Sequence, residues 1–300
     1  MAKPGETREP WMGDQAAGLR RLFGGRSPQV VAFAAGRESS GRTTLLVQTA
    51  AALAACGQRV LIIDENLSEN NALACFGLKG RHDLFQVLRG ERTLSQTMLD
   101  VAPALRILPA GHAARELEHA DRAAALARNN LDACLREMQR EVDFILIDAA
   151  VRPGGHLSPL ALAARHMAVI VAAQGNAITQ AYALIKRIVQ ERGRDGFQVA
   201  VTRARNQEDA SAIFDNMNRV AREHLAVRLD FLAATTATAQ ENLAHALMQQ
   251  LPPAIDESGF GWPPVWQGRL EGLRASPDTP ASNARAGGMH GKAERRETMV

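Results

Sequence analysis

The chain has 300 residues, 46% hydrophobic and 22% charged, enough to bury the core of one large domain. Its net charge is +3, with basic and acidic residues interleaved, too mild a balance to argue for nucleic acid, so no nucleic-acid partner is expected. Cys56, Cys75 and Cys134 are far apart and lack metal spacing, no apolar h-region opens the chain, and no apolar run reaches the ~18 residues of a membrane span, so the expectation is a soluble cytoplasmic protein with free thiols.

Residues 1–28 are polar and punctuated by Pro and Gly, and read as a flexible arm. Within them "DQAAGLRRLF" is a helical candidate, with Asp14 as N-cap and Ala16, Leu19 and Phe23 on one face. From residue 29 strands and helices alternate. "QVVAFAA" (29–35) is a continuous apolar strand ending at Gly36, and the helix predicted over 43–56 stops at Gly57. "RVLIID" (59–64), "LRILPA" (105–110), "VDFILIDAA" (142–150), "HMAVIVAA" (166–173), "FQVAVTRA" (197–204) and "VRLDFLA" (227–233) complete seven predicted strands. One or two helices are predicted over 114–140, and single helices over 177–192, 207–225 and 238–250. Strands apolar on both faces, alternating with helices, predict an α/β fold: a mostly parallel sheet covered by helices on both faces. The domain is expected over 29–251. Beyond it lies a Pro-, Ser-, Gly- and Arg-rich tail, 252–300, of disordered composition. In that tail Trp266, Leu270 and Leu273, flanked by Arg269 and Arg274, make a short apolar stripe that suits a membrane surface, a partner, or the domain itself.

Ligands of such sheets sit at the carboxyl ends of the strands, where Gly36, Asp64 and Asp148 all fall. The stretch "GRESSGRTT" (36–44) has the spacing G-x-x-x-x-G-x-[ST] between a strand and a helix. Such a P-loop works because consecutive backbone N–H groups and a helix N-terminus converge on a phosphate. The candidate nucleotide-binding residues are therefore Gly36, Arg37, Ser39, Ser40, Gly41, Arg42, Thr43 and Thr44. Thr43 is the candidate Mg²⁺ hydroxyl, Asp148 the candidate metal-side carboxylate, and Asp64 a second carboxylate on the same edge.

Over about residues 29–250 these features resemble the MinD/ParA family of deviant Walker ATPases, whose loop reads G-K-G-G-x-G-K-[ST]. Within it the resemblance is to the FlhG/FleN flagellar-number regulators. It is carried by "DQAAGLRRL", similar to their D-Q-A-x-x-L-R activator motif, by "DLFQVLRGERTLSQTML" (83–99) and by "QAYALIKRI" (180–188). The resemblance implies a P-loop NTPase-like fold, ATP or ADP with Mg²⁺, and a homodimer. It also implies action at the cell pole or inner membrane surface, an FlhF-type GTPase reached through Asp14, Gln15, Ala16, Leu19 and Arg20, and in many members a flagellar transcription activator.

Six motif positions depart from that pattern. Arg37 stands at the family's dimer-crossing lysine, Arg42 at the P-loop lysine, and Glu38 and Ser39 at two glycines. The D-x-D after the second strand reads Asp64, Glu65, Asn66, and the adenine-side Asn corresponds to Thr202. Arg keeps the charge of Lys but is longer and forked, so it does not fit a nest shaped for an ammonium, though it can clamp a phosphate from a shifted position. Asn66 cannot act as a base, and losing a positioned carboxylate costs ~10²–10⁴ in rate. Glu65 is a second candidate for that role, although its neighbouring position at a strand end points it elsewhere. The expectation is very slow or absent hydrolysis, with nucleotide binding left open. An active ATPase using Arg42 in place of lysine is the alternative. An assembly factor for another envelope machine is a third, against which the arm motif argues. The eight histidines are expected at surface or boundary positions, Cys56 in the core, and "RGER" (89–92) in a solvated turn.

Overall fold

The computed structural model describes residues 28–37, 40–117, 141–152, 155–235 and 240–251, with 134, 137 and 138. The activator segment Asp14–Arg20, the loop residues Glu38 and Ser39, and the Trp266 stripe lie outside the described residues. Eight strands form one sheet: β1 (Gln29–Ala34), β2 (Val60–Asp64), β3 (Leu99–Ala102), β4 (Leu105–Pro109), β5 (Phe144–Asp148), β6 (His166–Ala172), β7 (Gly196–Thr202) and β8 (Arg228–Thr235). Their spatial order is β3-β4-β2-β5-β1-β6-β7-β8, and every neighbouring pair is parallel except β3 with β4. All residues of β1, β2 and β5 are buried, as expected for strands covered on both faces.

Alternate side chains of these strands feed two cores. On one face Val31, Phe33, Ile62, Leu146 and Ile170 pack with Leu45, Leu46, Ala50 and Leu53 of α1 (Arg42–Ala55) and Leu243 and Leu247 of α9 (Gln240–Gln250). On the other, Val30, Ala32, Ile63, Ile145, Ile147 and Val169 meet helices from several segments. These are α3 (Leu84–Leu88), α5 (Gly111–Glu116), α6 (Pro159–Ala163), α7 (Ala177–Arg192) and α8 (Gln207–Leu225). Two short helices, α2 (Ala72–Cys75) and α4 (Leu94–Thr97), complete the described set.

Asp83 organises the segment after β2. Its side chain accepts from Phe85 N at 2.9 Å, opening α3, and from His112 N and Ala113 N at 3.1 and 3.0 Å, in the first turn of α5. Gln86 closes the reciprocal bond to Asp83 N at 2.8 Å, a capping box that Thr93 and Gln96 repeat at α4.

Three expectations are corrected. The sheet has eight strands, not seven: β3 was missed because its four residues alternate between half-buried and exposed on an antiparallel edge and carry no apolar run. The helix expected from 114 begins at Gly111, because Ala113 N and His112 N find the Asp83 acceptor there; most of 118–140 lies outside the described residues. Cys56 is exposed rather than core: it is the C-cap residue of α1, in phase with the buried stripe Leu45, Leu46, Thr49, Ala50 and Leu53 but one turn past its end.

The two glycines of the 36–44 loop are required for different reasons. A Cβ on Gly36 would lie 2.3–2.5 Å from the backbone of Gln180 and Ala181 in α7, whereas one on Gly41 would meet only Thr202 Oγ1 at an ordinary 4.0 Å, but Gly41 has φ +84°, in the left-handed region. Gly36→Ala forces the loop and α7 apart and lowers stability by about 1–3 kcal/mol or more. Gly41→Ala costs only about 1 kcal/mol, because strain there is purely conformational. Urea denaturation of both variants checks the ranking.

Candidate functional site

Parallel register brings the chemistry together. Asp64, at the end of β2, pairs across the ladder with Asp148, at the end of β5, and Phe33 of β1 pairs with Asp148 from the other side. The chain leaves β1, passes through Gly36 and the loop, and enters α1 at Arg42. Residues 106 positions apart in sequence thus become contacts.

Arg42 Nε donates to Asp148 Oδ1 at 2.5 Å, with the Arg42 side chain 10% exposed and that of Asp148 fully buried. The next residue, Thr43, donates its hydroxyl to Asp148 Oδ2 at 2.7 Å. Both carboxylate oxygens of Asp148 are therefore engaged from the first two positions of α1. Asn66 Nδ2 reaches Thr43 Oγ1 at 3.4 Å, while its Oδ1 accepts from Ser68 N at 3.0 Å. Asp64 bonds to the segment after its own strand. Its Oδ1 accepts from Asn66 N at 3.0 Å and its Oδ2 from Leu73 N at 3.2 Å, so it orders the turn that carries Asn66.

On the other flank Thr202, at the end of β7, donates to the carbonyl of Ser40 at 2.8 Å and pins the loop to the sheet. Arg37 is exposed, and its Nη1 donates to Asn176 Oδ1 at 3.2 Å, at the start of α7. Thr44 is exposed on α1. The structure thus brings Arg42, Thr43, Asn66 and Asp148 into one bonded set. Asp64 stands behind it, and Ser40 and Thr202 join at one side.

Glu65 turns away, as its neighbouring position implied. It is buried, its Oε1 accepts from Ser158 Oγ at 2.5 Å, and Ser158 also caps α6 through Ala161 N at 3.0 Å. Its Oε2 has no hydrogen-bond partner among the described residues. Three functional neighbours were not read from sequence. Asn176 carries no motif, whereas Ser158 before Pro159 and Asp83 three residues before Gln86 are N-cap signals that were legible.

The electrostatics follow from burial. Desolvation, and then the neighbouring Asp148 charge, push Asp64 up to about 7, against the backbone donors Asn66 and Leu73. Desolvation pushes Glu65 up to about 7 as well, opposed by the Ser158 hydrogen bond and the Arg152 charge. The cluster sheds carboxylate charge near neutrality, while Arg42 neutralises Asp148 in place.

The parallel sheet with a loop between β1 and a helix N-terminus defines a P-loop NTPase fold. A family model described as an AAA domain matches residues 28–195. This chain belongs to that family, as a MinD/ParA-type ATPase relative. It is 26% identical over 204 residues to the antiactivator FleN of Pseudomonas aeruginosa, covering 68% of this chain and 72% of that protein. It is 22% identical over 236 residues to the flagellum site-determining protein YlxH of Helicobacter pylori, covering 74% and 78%. In fold it is similar to a putative plasmid partition protein from Borrelia burgdorferi bound to AMPPNP, with TM-score 0.56, 14% identity and coverage of 75% and 100%.

The buried acids predict a pH dependence of stability. In the unfolded chain Glu65 ionises near its ordinary 4.5, and in the folded protein near 7, so the folded state holds the proton in between. Its contribution is fully present below about 4.5 and is lost as pH rises through about 7. Asp64 acts in the same direction. Glu65→Gln keeps an acceptor for Ser158 but cannot ionise. Urea denaturation at pH 5 and pH 8 is expected to show a smaller loss for the variant than for the parent; equal losses would contradict the assignment.

Proposed function

We propose that this chain regulates flagellar number or placement as a MinD/ParA-type protein in which nucleotide acts as a switch and hydrolysis is very slow or lost. The flagellar part is supported by the two relatives whose names describe an antiactivator and a flagellum site-determining protein. The observation that carries the loss of turnover is the buried Arg42–Asp148 pair, formed where family members place a lysine, with Asn66 beside it instead of a carboxylate.

The residues present fit an anion. Gly41 is left-handed and adds no side-chain cap to the first turn of the 14-residue α1, which leaves those N–H groups to a phosphate. Ser40 Oγ is buried without a hydrogen-bond partner among the described residues, as a hydroxyl awaiting a ligand would be. On this reading Gly36 to Thr44 hold the phosphates and Thr202 fixes the loop. The residues do not fit Mg²⁺ equally well, because both oxygens of Asp148 are taken by Arg42 and Thr43. The segment Asp14–Arg20 acts on an FlhF-type GTPase, and a flagellar transcription activator and a second copy of the chain are further partners. The site of action is the cell pole or the inner membrane surface. No described helix is long and apolar enough to cross a membrane.

Phosphate release from ATP and Mg²⁺ is expected at background for the native chain. The double change Arg42→Lys with Asn66→Asp is expected to raise it by about 10²-fold or more. Deleting residues 1–24 is expected to abolish stimulation of an FlhF-type GTPase without changing the melting temperature. Native turnover equal to that of an ordinary family member establishes the alternative, an active ATPase using Arg42. A deletion strain with normal flagellar number overturns the regulatory reading.

A further inference from the structure

We infer that Arg42 stands in for the divalent cation, so that the loop binds a nucleoside di- or triphosphate without a metal ion. This rests on reading residues 36–44 as a nucleotide site. A polyphosphate lying beside a buried carboxylate needs an intervening positive charge. A divalent ion usually supplies it, coordinated by loop hydroxyl, phosphate and water. Here that charge is covalently part of the chain. Arg42 Nε lies 2.5 Å from Asp148 Oδ1, and the carboxylate is wholly buried. Nε–H is one of five donors on a guanidinium, and its remaining N–H groups suit phosphate oxygens in a bidentate fork.

The Thr43 hydroxyl, whose oxygen lone pairs a metal would use, is tied to the same carboxylate. Thr43 gives its proton to Asp148 Oδ2 at 2.7 Å and faces the Asn66 amide at 3.4 Å. For Mg²⁺ to bind Asp148 directly, the guanidinium must give up its 2.5 Å contact and rely on the phosphates alone for counter-charge. Mg²⁺ also demands near-octahedral geometry with retained water, for which a carboxylate already bonded on both oxygens is poorly suited. Lysine at this position would be a compact point charge able to swing away, whereas the planar arginine holds its partner in a fixed geometry.

The test is isothermal titration of the full native chain, freed of nucleotide, with ADP and with ATP, once in excess EDTA and once in excess Mg²⁺. The two dissociation constants for each nucleotide are expected to agree within about threefold. In Arg42→Lys, checked for folding by its melting curve, Mg²⁺ is expected to tighten ATP by about tenfold or more. The native titration decides by itself if that variant fails to fold. Tightening of native binding by Mg²⁺ of about tenfold or more overturns the inference while leaving the nucleotide site intact. Absence of binding in both buffers overturns the inference and the nucleotide reading together. Neither result bears on phosphate release or on flagellar number, which test the regulatory reading separately.

Discussion

The ion pair between Arg42 and Asp148 governs what the carboxyl edge of this sheet can do. Two opposite charges removed from water are tolerated because each satisfies the other at 2.5 Å, and taking one away leaves the second buried and uncompensated. The pair is dictated by topology: β5 lies beside β1, so the residue ending β5 faces the first turn of the helix that follows β1. Burial, and then the neighbouring Asp148 carboxylate, push Asp64 toward the neutral form. Its remaining task is to hold the backbone that carries Asn66.

A second constraint mounts the loop itself. Gly36 lies so close to Gln180 and Ala181 that loop and α7 touch backbone to backbone. Thr202 ties Ser40 to the end of β7, and Arg37 ties the loop to Asn176. Thr202 stands where the family resemblance places an adenine-side Asn; in this chain its hydroxyl is committed to the loop backbone. Two elements, α7 and β7, therefore hold Gly36, Arg37 and Ser40 in place, in keeping with the strand–turn–helix spacing.

Much of this was legible in the sequence because the central strands are buried on both faces and appear as uninterrupted apolar runs, such as "VLIID" and "FILID". Helices 177–192 and 207–225 are observed as Ala177–Arg192 and Gln207–Leu225, each preceded by an Asn; Asn206 caps its helix through Asp209 N. What escaped was information held in register. Nothing local to Arg42 says that its partner is Asp148, since the contact depends on which strands are neighbours. Strand β3 escaped for the opposite reason: an edge strand faces solvent on one side and has no apolar signature to read. Cys56 was misread because it lies in phase with the buried stripe of α1, and where that stripe runs out at the helix end depends on tertiary packing.

The two margins of the sheet are built to stay unpaired. One is β3, four residues long and irregular where Asp100 and Ala102 shift register. The other is β8, which shifts register against β7 and carries Arg228 and Asp230 as a cross-charged pair at 3.3 Å. Short length, irregularity and charge are the means by which proteins prevent open strands from recruiting further strands. Continuous sheet growth between molecules is thereby discouraged.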